Sequence, residues 1–217
     1  MDTCYIVCAA DMSAGRFSPR EGDLVIAADA GCRHLQRLGV RPHLIVGDFD
    51  SLGHVPSFPN VEVCPVEKDD TDSMIAIKKA LELGFGQIFL FGALGGRRLD
   101  HTLANIQALA YARAHGAAAY LFGEGCALTA IADGDALRFD ARCSGDFSAF
   151  CHGPDASGVC ERGFHYRLDG AVLTAAFPLG VSNSFTGEPA EISVGRGTLI
   201  VYWQDDPRLP LPERGRI

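Results

Sequence analysis

His43-Leu44-Ile45-Val46-Gly47-Asp48-Phe49-Asp50-Ser51 is the stretch that decides how this chain is read. An apolar run ends in glycine, and two aspartates two residues apart follow at once. The run reads as a buried strand. Aspartate is poor in strands and costly to bury unpaired, so packing gives no reason for either carboxylate. One explanation is local: Asp and Ser are good N-caps, and a helix starting after the strand would use them. The other is chemical. Oxygen ligands here suit a hard cation, and Mg²⁺ is held by one or two carboxylates together with substrate phosphates.

The pattern recurs along the first half of the chain. Lys68-Asp69-Asp70-Thr71-Asp72 lies between the strand-like Val61-Glu62-Val63-Cys64 and a helical pattern over Ser73–Leu83. Leu99-Asp100-His101 follows Gly95-Gly96-Arg97-Arg98, after the strand-like Gln87–Phe91 and before a helical pattern over Thr102–Ala114. Asp29, in Ala27-Ala28-Asp29-Ala30-Gly31, follows Asp23–Ile26 and precedes a helical stretch through Leu38. With Asp48 and Asp50, four strand-to-helix junctions carry an aspartate. In an open parallel sheet these junctions sit at the carboxyl ends of the strands, where ligands bind. Capping explains one such residue; four on one edge point to a site.

Composition bounds the possibilities. A chain of 217 residues with 47% hydrophobic content can build one large or two small cores. No apolar run reaches the roughly 18 residues of a membrane span, and Met1-Asp2-Thr3 lacks the basic start of a signal peptide. The net charge of −8 argues against a nucleic-acid surface, although not against a phosphorylated ligand brought in with Mg²⁺. The eight cysteines form no C-x-x-C pair, and Cys4, Cys8 and Cys64 sit inside apolar runs. Free thiols in a reducing cytoplasm are expected, not zinc or disulfides.

The sequence has two rhythms. Residues 1–123 alternate short apolar runs (Tyr5–Ala9, Leu24–Ala28, Leu44–Val46, Val61–Val63, Ile88–Phe91, Ala117–Phe122) with helical patterns. That alternation predicts β-α-β units and a mostly parallel, Rossmann-like sheet. Met74, Ile77 and Leu81, and Leu103, Ile106, Leu109 and Ala110, form apolar helical stripes expected to be core. Over residues 126–204 short strand-like runs follow one another without a long helix: Ala127–Ala132, Ala136–Phe139, Phe147–Cys151, Ala171–Phe177, Glu191–Val194 and Thr198–Trp203. Turn signals such as Asp133-Gly134-Asp135 and Leu168-Asp169-Gly170 separate them, predicting an antiparallel sandwich or barrel. Residues 205–217, with Pro207, Pro210 and Pro212 among charges, are expected to be a flexible tail.

Neither G-x-x-x-x-G-K-[ST] nor G-x-G-x-x-G is present, which disfavours a Walker-type ATPase and a standard dinucleotide site. Gly92-Ala93-Leu94-Gly95-Gly96-Arg97-Arg98 offers another route to phosphate. Glycines let backbone approach a ligand, and an arginine forks two phosphate oxygens. A flexible turn with solvated arginines is the plain alternative; Asp100 and His101 beside it weigh against that. His101 could orient an aspartate, contact substrate or cap the helix. Lys68 could contact phosphate or solvent.

Gly47-Asp48-Phe49-Asp50-Ser51, Lys68-Asp69-Asp70-Thr71-Asp72 and Gly96-Arg97-Arg98-Leu99-Asp100-His101-Thr102-Leu103-Ala104-Asn105, in this order and spacing, resemble the thiamine pyrophosphokinase family. Gly180-Val181-Ser182-Asn183-Ser184-Phe185 and Ala190-Glu191-Ile192-Ser193-Val194 resemble that family's thiamine-binding region. The resemblance covers nearly the whole chain except the tail. It implies an α/β nucleotide- and metal-binding domain, a C-terminal all-β sandwich, and a homodimer with sites shared between subunits. It implies Mg²⁺-dependent transfer of a pyrophosphoryl group from ATP to the hydroxyethyl group of thiamine, releasing AMP. Carried over by position, Asp48, Asp50, Asp72 and Asp100 look like metal and catalytic carboxylates, with Arg98 as a catalytic cation. Asp29, Lys68, Asp69, Thr71, Arg98 and His101 look like nucleotide contacts, and Ser182 and Asn183 like thiamine contacts. Relatives often carry one arginine in Gly-Gly-Arg-x-Asp-His; here there are two, and Arg98 keeps the distance to Asp100. Rival readings are another Mg²⁺-dependent phosphotransferase or hydrolase on the same scaffold, and a non-enzymatic nucleotide or thiamine sensor.

Overall fold

The computed structural model describes residues 2–49, 53–65, 67 and 69–217. Asp50, Ser51 and Lys68, singled out above, lie outside the described residues. The chain divides into two compact units, Met1–Glu124 and Gly125–Ile217.

In the first unit, strands β1 (Thr3–Val7), β2 (Leu24–Ala28), β3 (Leu44–Gly47), β4 (Val61–Val63), β5 (Gln87–Phe91) and β6 (Ala118–Gly123) pair in the spatial order β6-β5-β1-β2-β3-β4. Every one of these pairings is parallel. β1 is buried along its whole length and β2 and β5 nearly so, as expected of strands covered on both faces. Helices α1 (Cys32–Arg37), α2 (Asp72–Glu82) and α3 (Leu99–Ala114) follow β2, β4 and β5. From β1 the chain moves outward through β2, β3 and β4, then returns to β5 on the other side of β1. The carboxyl ends of β1 and β5 therefore flank the point where the winding reverses.

Between β1 and β2 the chain forms a loop that sends Phe17 back over the sheet. Its ring meets Tyr5 and Phe91 edge-on, at centroid distances of 5.5 and 5.4 Å. Phe89 and Phe122 complete this aromatic layer. On α2, Ala76, Ile77 and Ala80 are buried. On α3 the buried set is Asn105, Ala108, Leu109 and Ala112, whereas Leu103 is 58% exposed. The stripe expected through Leu103, Ile106 and Ala110 is thus rotated. Small alanines bring α3 close against β6 beside buried Leu109, and Leu103 turns outward.

In the second unit, β7 (Cys126–Ala132), β8 (Asp135–Phe139), β9 (Asp146–Cys151), β10 (Ala156–Arg162), β11 (Leu168–Leu173), β12 (Asn183–Ser184), β13 (Ala190–Ser193), β14 (Thr198–Gln204) and β15 (Glu213–Arg216) are all antiparallel to their neighbours. They run β12-β9-β14-β7 in one layer and β11-β10-β13-β8-β15 in the other. Phe139 of the second layer meets Phe147 and Trp203 of the first at 5.8 and 5.6 Å, and Phe164 stacks on Phe147 at 3.9 Å. Such aromatic pairs add roughly 0.5–1.5 kcal/mol each beyond burial.

Three local expectations change. The tail does not simply fray: β15 pairs with β8, Arg216 holds Asp135 at 3.1 Å, and Arg214 donates to the Ala130 carbonyl at 2.9 Å. A charged sequence succeeds as an edge strand because its arginines find acceptors within the unit. β10 was not expected, and β11 begins earlier than Ala171, so that Asp169-Gly170 lies inside a strand and not a turn. The β10–β11 register shifts on either side of Val159, and the Gly170 N–H donates to the Cys160 sulfur. Irregular pairing of this kind leaves no clean alternation to read. None of the eight cysteines, all among the described residues, is in a disulfide. No helix among the described residues is long and apolar enough to cross a membrane.

Candidate active site

A cleft of about 450 Å³ opens at the winding reversal. Its walls come from the segment after β1 (Cys8–Asp11), the end of β2 (Ala28, Asp29), the start of α2 (Thr71–Ser73) and the β5–α3 connection (Gly92–Arg98), with His101, Thr102 and Asn105 of α3. The segments are stitched backbone to backbone: Cys8 N–H donates to Phe91 O and Ala10 N–H to Gly92 O, both at 2.8 Å. Gly92 has φ +60°, and a Cβ there would lie 2.5 Å from the Cys8 carbonyl oxygen, so only glycine fits. Gly47 plays the matching part beside Asp29, whose Cα would be 3.1 Å from an added Cβ.

The helix starts are held by a buried relay. Thr71 caps α2, its Oγ1 accepting from the Met74 N–H at 3.2 Å. Thr71 Oγ1 and Ser73 Oγ are 3.0 Å apart; Ser73 then donates to Asn105 Oδ1 at 2.6 Å, and Asn105 donates to the Ala93 carbonyl at 2.8 Å. Thr102 Oγ1 accepts from the Gly95 N–H at 3.1 Å. The spacing Thr71-x-Ser73 and the Asn105 that closes the third motif were visible in the sequence, but their mutual contact was not.

Asp29 is 8% exposed and sits at φ +48°, an uncommon conformation for a residue with a side chain. Its Oδ1 is buried and accepts no hydrogen bond. A buried carboxylate oxygen without a donor is costly, and such strain collects at functional sites. Burial pushes the Cys8 thiol up to about 12, and the negative charges of Asp72 and Asp29 add to the rise. Both carboxylates therefore bear on one corner of the cleft. Asp72 also occupies the first turn of α2, where the helix dipole favours an anion. The cleft offers carboxylate oxygen, the ligand type that suits Mg²⁺.

On the other wall, Arg98 forks Asp100: Nε donates to Oδ1 at 2.9 Å and Nη2 to Oδ2 at 2.7 Å. This hydrogen-bonded pair lowers the Asp100 carboxyl to about 2. Both side chains are about two-thirds exposed, so the pair adds little to stability.

Of the residues singled out in the sequence, Asp29, Thr71, Asp72, Arg98 and His101 line the cleft, and so does Arg97. Among the described residues, Asp48, Asp69 and Asp100 stand outside that lining. Asp48 is half-buried between Gly47 and Phe49, the latter 2% exposed at φ +59°. Asp69 is exposed, and its neighbour Asp70 pairs with Lys78 at 2.6 Å. No three described side chains of metal-binding type converge as a ready-made cage. Ser182 and Asn183 belong to the second unit. Ser182 is exposed at φ +63°, and Asn183 is 4% exposed. Sequence reasoning missed Glu161, which is 1% exposed and hydrogen-bonded to Asn183; an acid inside Gly158-Val159-Cys160-Glu161 was the available signal.

A parallel α/β unit with an acid- and arginine-lined cleft at its winding reversal defines the class. Residues 19–121 match the family model described as thiamin pyrophosphokinase, catalytic domain. A thiamine pyrophosphokinase of Bacillus subtilis is 39% identical over 95 residues, covering 41% of this chain and 44% of that protein, so the aligned stretch spans less than half of that relative. The crystal structure of thiamine pyrophosphokinase from Bacillus subtilis superposes with a TM-score of 0.78 at 26% identity, covering 94% of this chain and 100% of that one. Thiamin pyrophosphokinase from Geobacillus thermodenitrificans gives 0.78 at 28% identity, over 94% and 98%. By sequence the first unit, and by fold 94% of the chain, is thus similar to thiamine pyrophosphokinases.

Proposed function

We propose that this protein transfers a pyrophosphoryl group from MgATP to the hydroxyethyl oxygen of thiamine, giving thiamine diphosphate and AMP. The observation that carries the reading is the cleft itself: buried Asp29 and half-buried Asp72 on one side, Arg97 and Arg98 with Gly95-Gly96 on the other. In the reaction the substrate oxygen bonds to the β-phosphorus of ATP, the bond from that phosphorus to the α-bridging oxygen breaks, and AMP leaves. The alcohol proton passes to a carboxylate of the cleft or to water. Transfer of this kind asks the protein for positioning and charge placement more than covalent chemistry.

Asp48, Asp50, Asp72 and Asp100 are proposed to hold Mg²⁺, with Asp29 supplying a further oxygen toward the same corner. Held by these carboxylates, Mg²⁺ would supply positive charge to offset that of the phosphates. Arg98 is placed to fork a phosphate once it exchanges Asp100 for the ligand. Lys68, Asp69, Thr71 and His101 complete the nucleotide side, and Ser182 and Asn183 the thiamine side. The Rossmann-like description suits the first unit because its parallel order reverses at β1, where the cleft lies. The protein is further proposed to be a homodimer that shares its sites between subunits. Phe177, Leu179 and Val181, between 45% and 65% exposed, supply apolar surface for such an interface. Eight cysteines outside disulfides suit the reducing cytoplasm.

The test is direct: incubate the protein with thiamine, ATP and Mg²⁺ and separate the products. Thiamine diphosphate and AMP in equal amounts support the reading. AMP or ADP without thiamine diphosphate, or product from other alcohols only, would replace it by another phosphotransferase or hydrolase. Binding without turnover would make it a sensor.

A further inference from the structure

The environment of Asn183 separates residues that touch a ligand from residues that hold others in place. Its amide carbonyl accepts the N–H groups of Tyr166 and Ser184, both at 2.9 Å. Its nitrogen donates to the Tyr166 carbonyl and to Glu161 Oε2, both at 2.7 Å. A primary amide has two donor hydrogens and two acceptor lone pairs, and all four are engaged. No capacity is left for a substrate.

Glu161 lies beneath this amide on β10. It is 1% exposed, Oε2 takes the bond from Asn183, and Oε1 accepts no hydrogen bond. A half-satisfied buried carboxyl is an expensive choice where a leucine would pack. The residues it reaches through Asn183 are, by contrast, at the surface. Tyr166, gripped at both its N–H and its carbonyl, is 63% exposed. Ser182 is exposed, held at φ +63°, with its N–H on Ser148 Oγ at 3.1 Å.

We propose that Glu161 is a positioning residue for thiamine: it fixes the Asn183 amide, which in turn holds the Tyr166 segment and Ser182 as the receiving surface, and Asn183 itself does not contact the substrate. The inference rests on the functional reading above, and it assigns the thiamine side of that reading to a buried acid two strands of sequence away from Ser182.

Kinetics of Glu161→Gln and Glu161→Met, with thiamine and ATP varied separately, test it. The wild type must first form thiamine diphosphate; if it does not, the functional reading fails and the inference with it. Glutamine keeps an oxygen for the Asn183 donor, so Glu161→Gln should leave the KM for thiamine within threefold. Glu161→Met removes the acceptor and should raise the KM for thiamine at least tenfold, with kcat and the KM for ATP within twofold. An unchanged KM for thiamine in Glu161→Met, or equal rises for both substrates, overturns the inference while leaving the reaction in place. If Glu161→Met does not fold, a charge exchange decides. Asn183→Asp sets two carboxylates against each other, and adding Glu161→Gln restores a donor facing an acceptor. The double variant should bind thiamine at least fivefold tighter than Asn183→Asp alone by calorimetry; equal affinity overturns the inference.

Discussion

Glu161→Gln should make the second unit more stable at pH 8 and about 1 kcal/mol less stable at pH 4.5. Burial raises the Glu161 carboxyl from 4.5 to about 7, and the Asn183 hydrogen bond works in the opposite direction without cancelling the rise. With a raised folded value, Glu161 contributes no penalty below the unfolded value, where both states are protonated. As pH rises from 4.5 through about 7 the unfolded chain ionises first, and stability is lost. A rise from 4.5 to about 7 corresponds to about 3 kcal/mol of lost stability above pH 7. The variant removes that loss but leaves a buried amide N–H where Oε1 had no partner, which costs about 1 kcal/mol. The net gain at pH 8 should be about 2 kcal/mol. The chain has one tryptophan, Trp203, 2% exposed in this unit, so urea unfolding followed by its fluorescence reports the right event. Comparing variant and wild type at each pH from 4.5 to 8 cancels every other titrating group. Parallel stability curves, with no divergence between pH 5 and 7, would refute the assignment of a raised carboxyl at this position.

Asp48→Asn and Asp72→Asn should each lower kcat at least a hundredfold, about 3 kcal/mol of transition-state stabilisation, without lowering the melting temperature by more than a few degrees; activity within threefold and unchanged Mg²⁺ dependence removes the residue from the metal set. Arg98→Ala should reduce kcat/KM for ATP about thirtyfold or more and Arg97→Ala only mildly, since Arg98 already makes a two-pronged contact with a carboxylate; the reverse ranking assigns the phosphate to Arg97. Mixing inactive Asp48→Asn chains with inactive Asn183→Ala chains should return roughly a quarter of wild-type activity once subunits exchange, because random pairing makes about half heterodimers with one intact site each; exchange confirmed by mass with no activity refutes shared sites. Cys4 and Cys8, both raised to about 12 by burial first, should resist alkylation at pH 8 in the folded protein and react after unfolding, as mass spectrometry of the labelled peptides will read.

The parallel unit was legible because its strands are continuous apolar runs and its helices begin at aspartates, and both signals are local. Asp29, Asp72 and Arg98, which line the cleft, could be named as candidate site residues on the same ground: a charged group at a strand end has no packing role. Their grouping in one cleft was not legible, because it depends on strand order, which nothing within a motif encodes. The same limit hid the Ser73–Asn105 bond, whose partners lie 32 positions apart. In the second unit alternation served well for β7, β8, β9 and β14. It failed for β10, where Gly158 at φ +66° and a shifting register break the period. It failed for β15, whose arginines face partners that only the folded unit supplies. Asn183 was legible as part of a motif but not as a brace, since its role is set by Glu161 and Tyr166 on other segments.

The relay from Thr71 through Ser73 and Asn105 to Ala93 turns two helix starts into a caliper with fixed jaws. Its middle bond is short and buried, so α2 and the β5–α3 connection cannot drift apart without exposing a broken polar pair to an apolar interior. The distance between the acidic jaw and the arginine jaw is thereby set before any ligand arrives. A ligand entering the cleft meets walls that are already spaced, so little of its binding energy goes into ordering them.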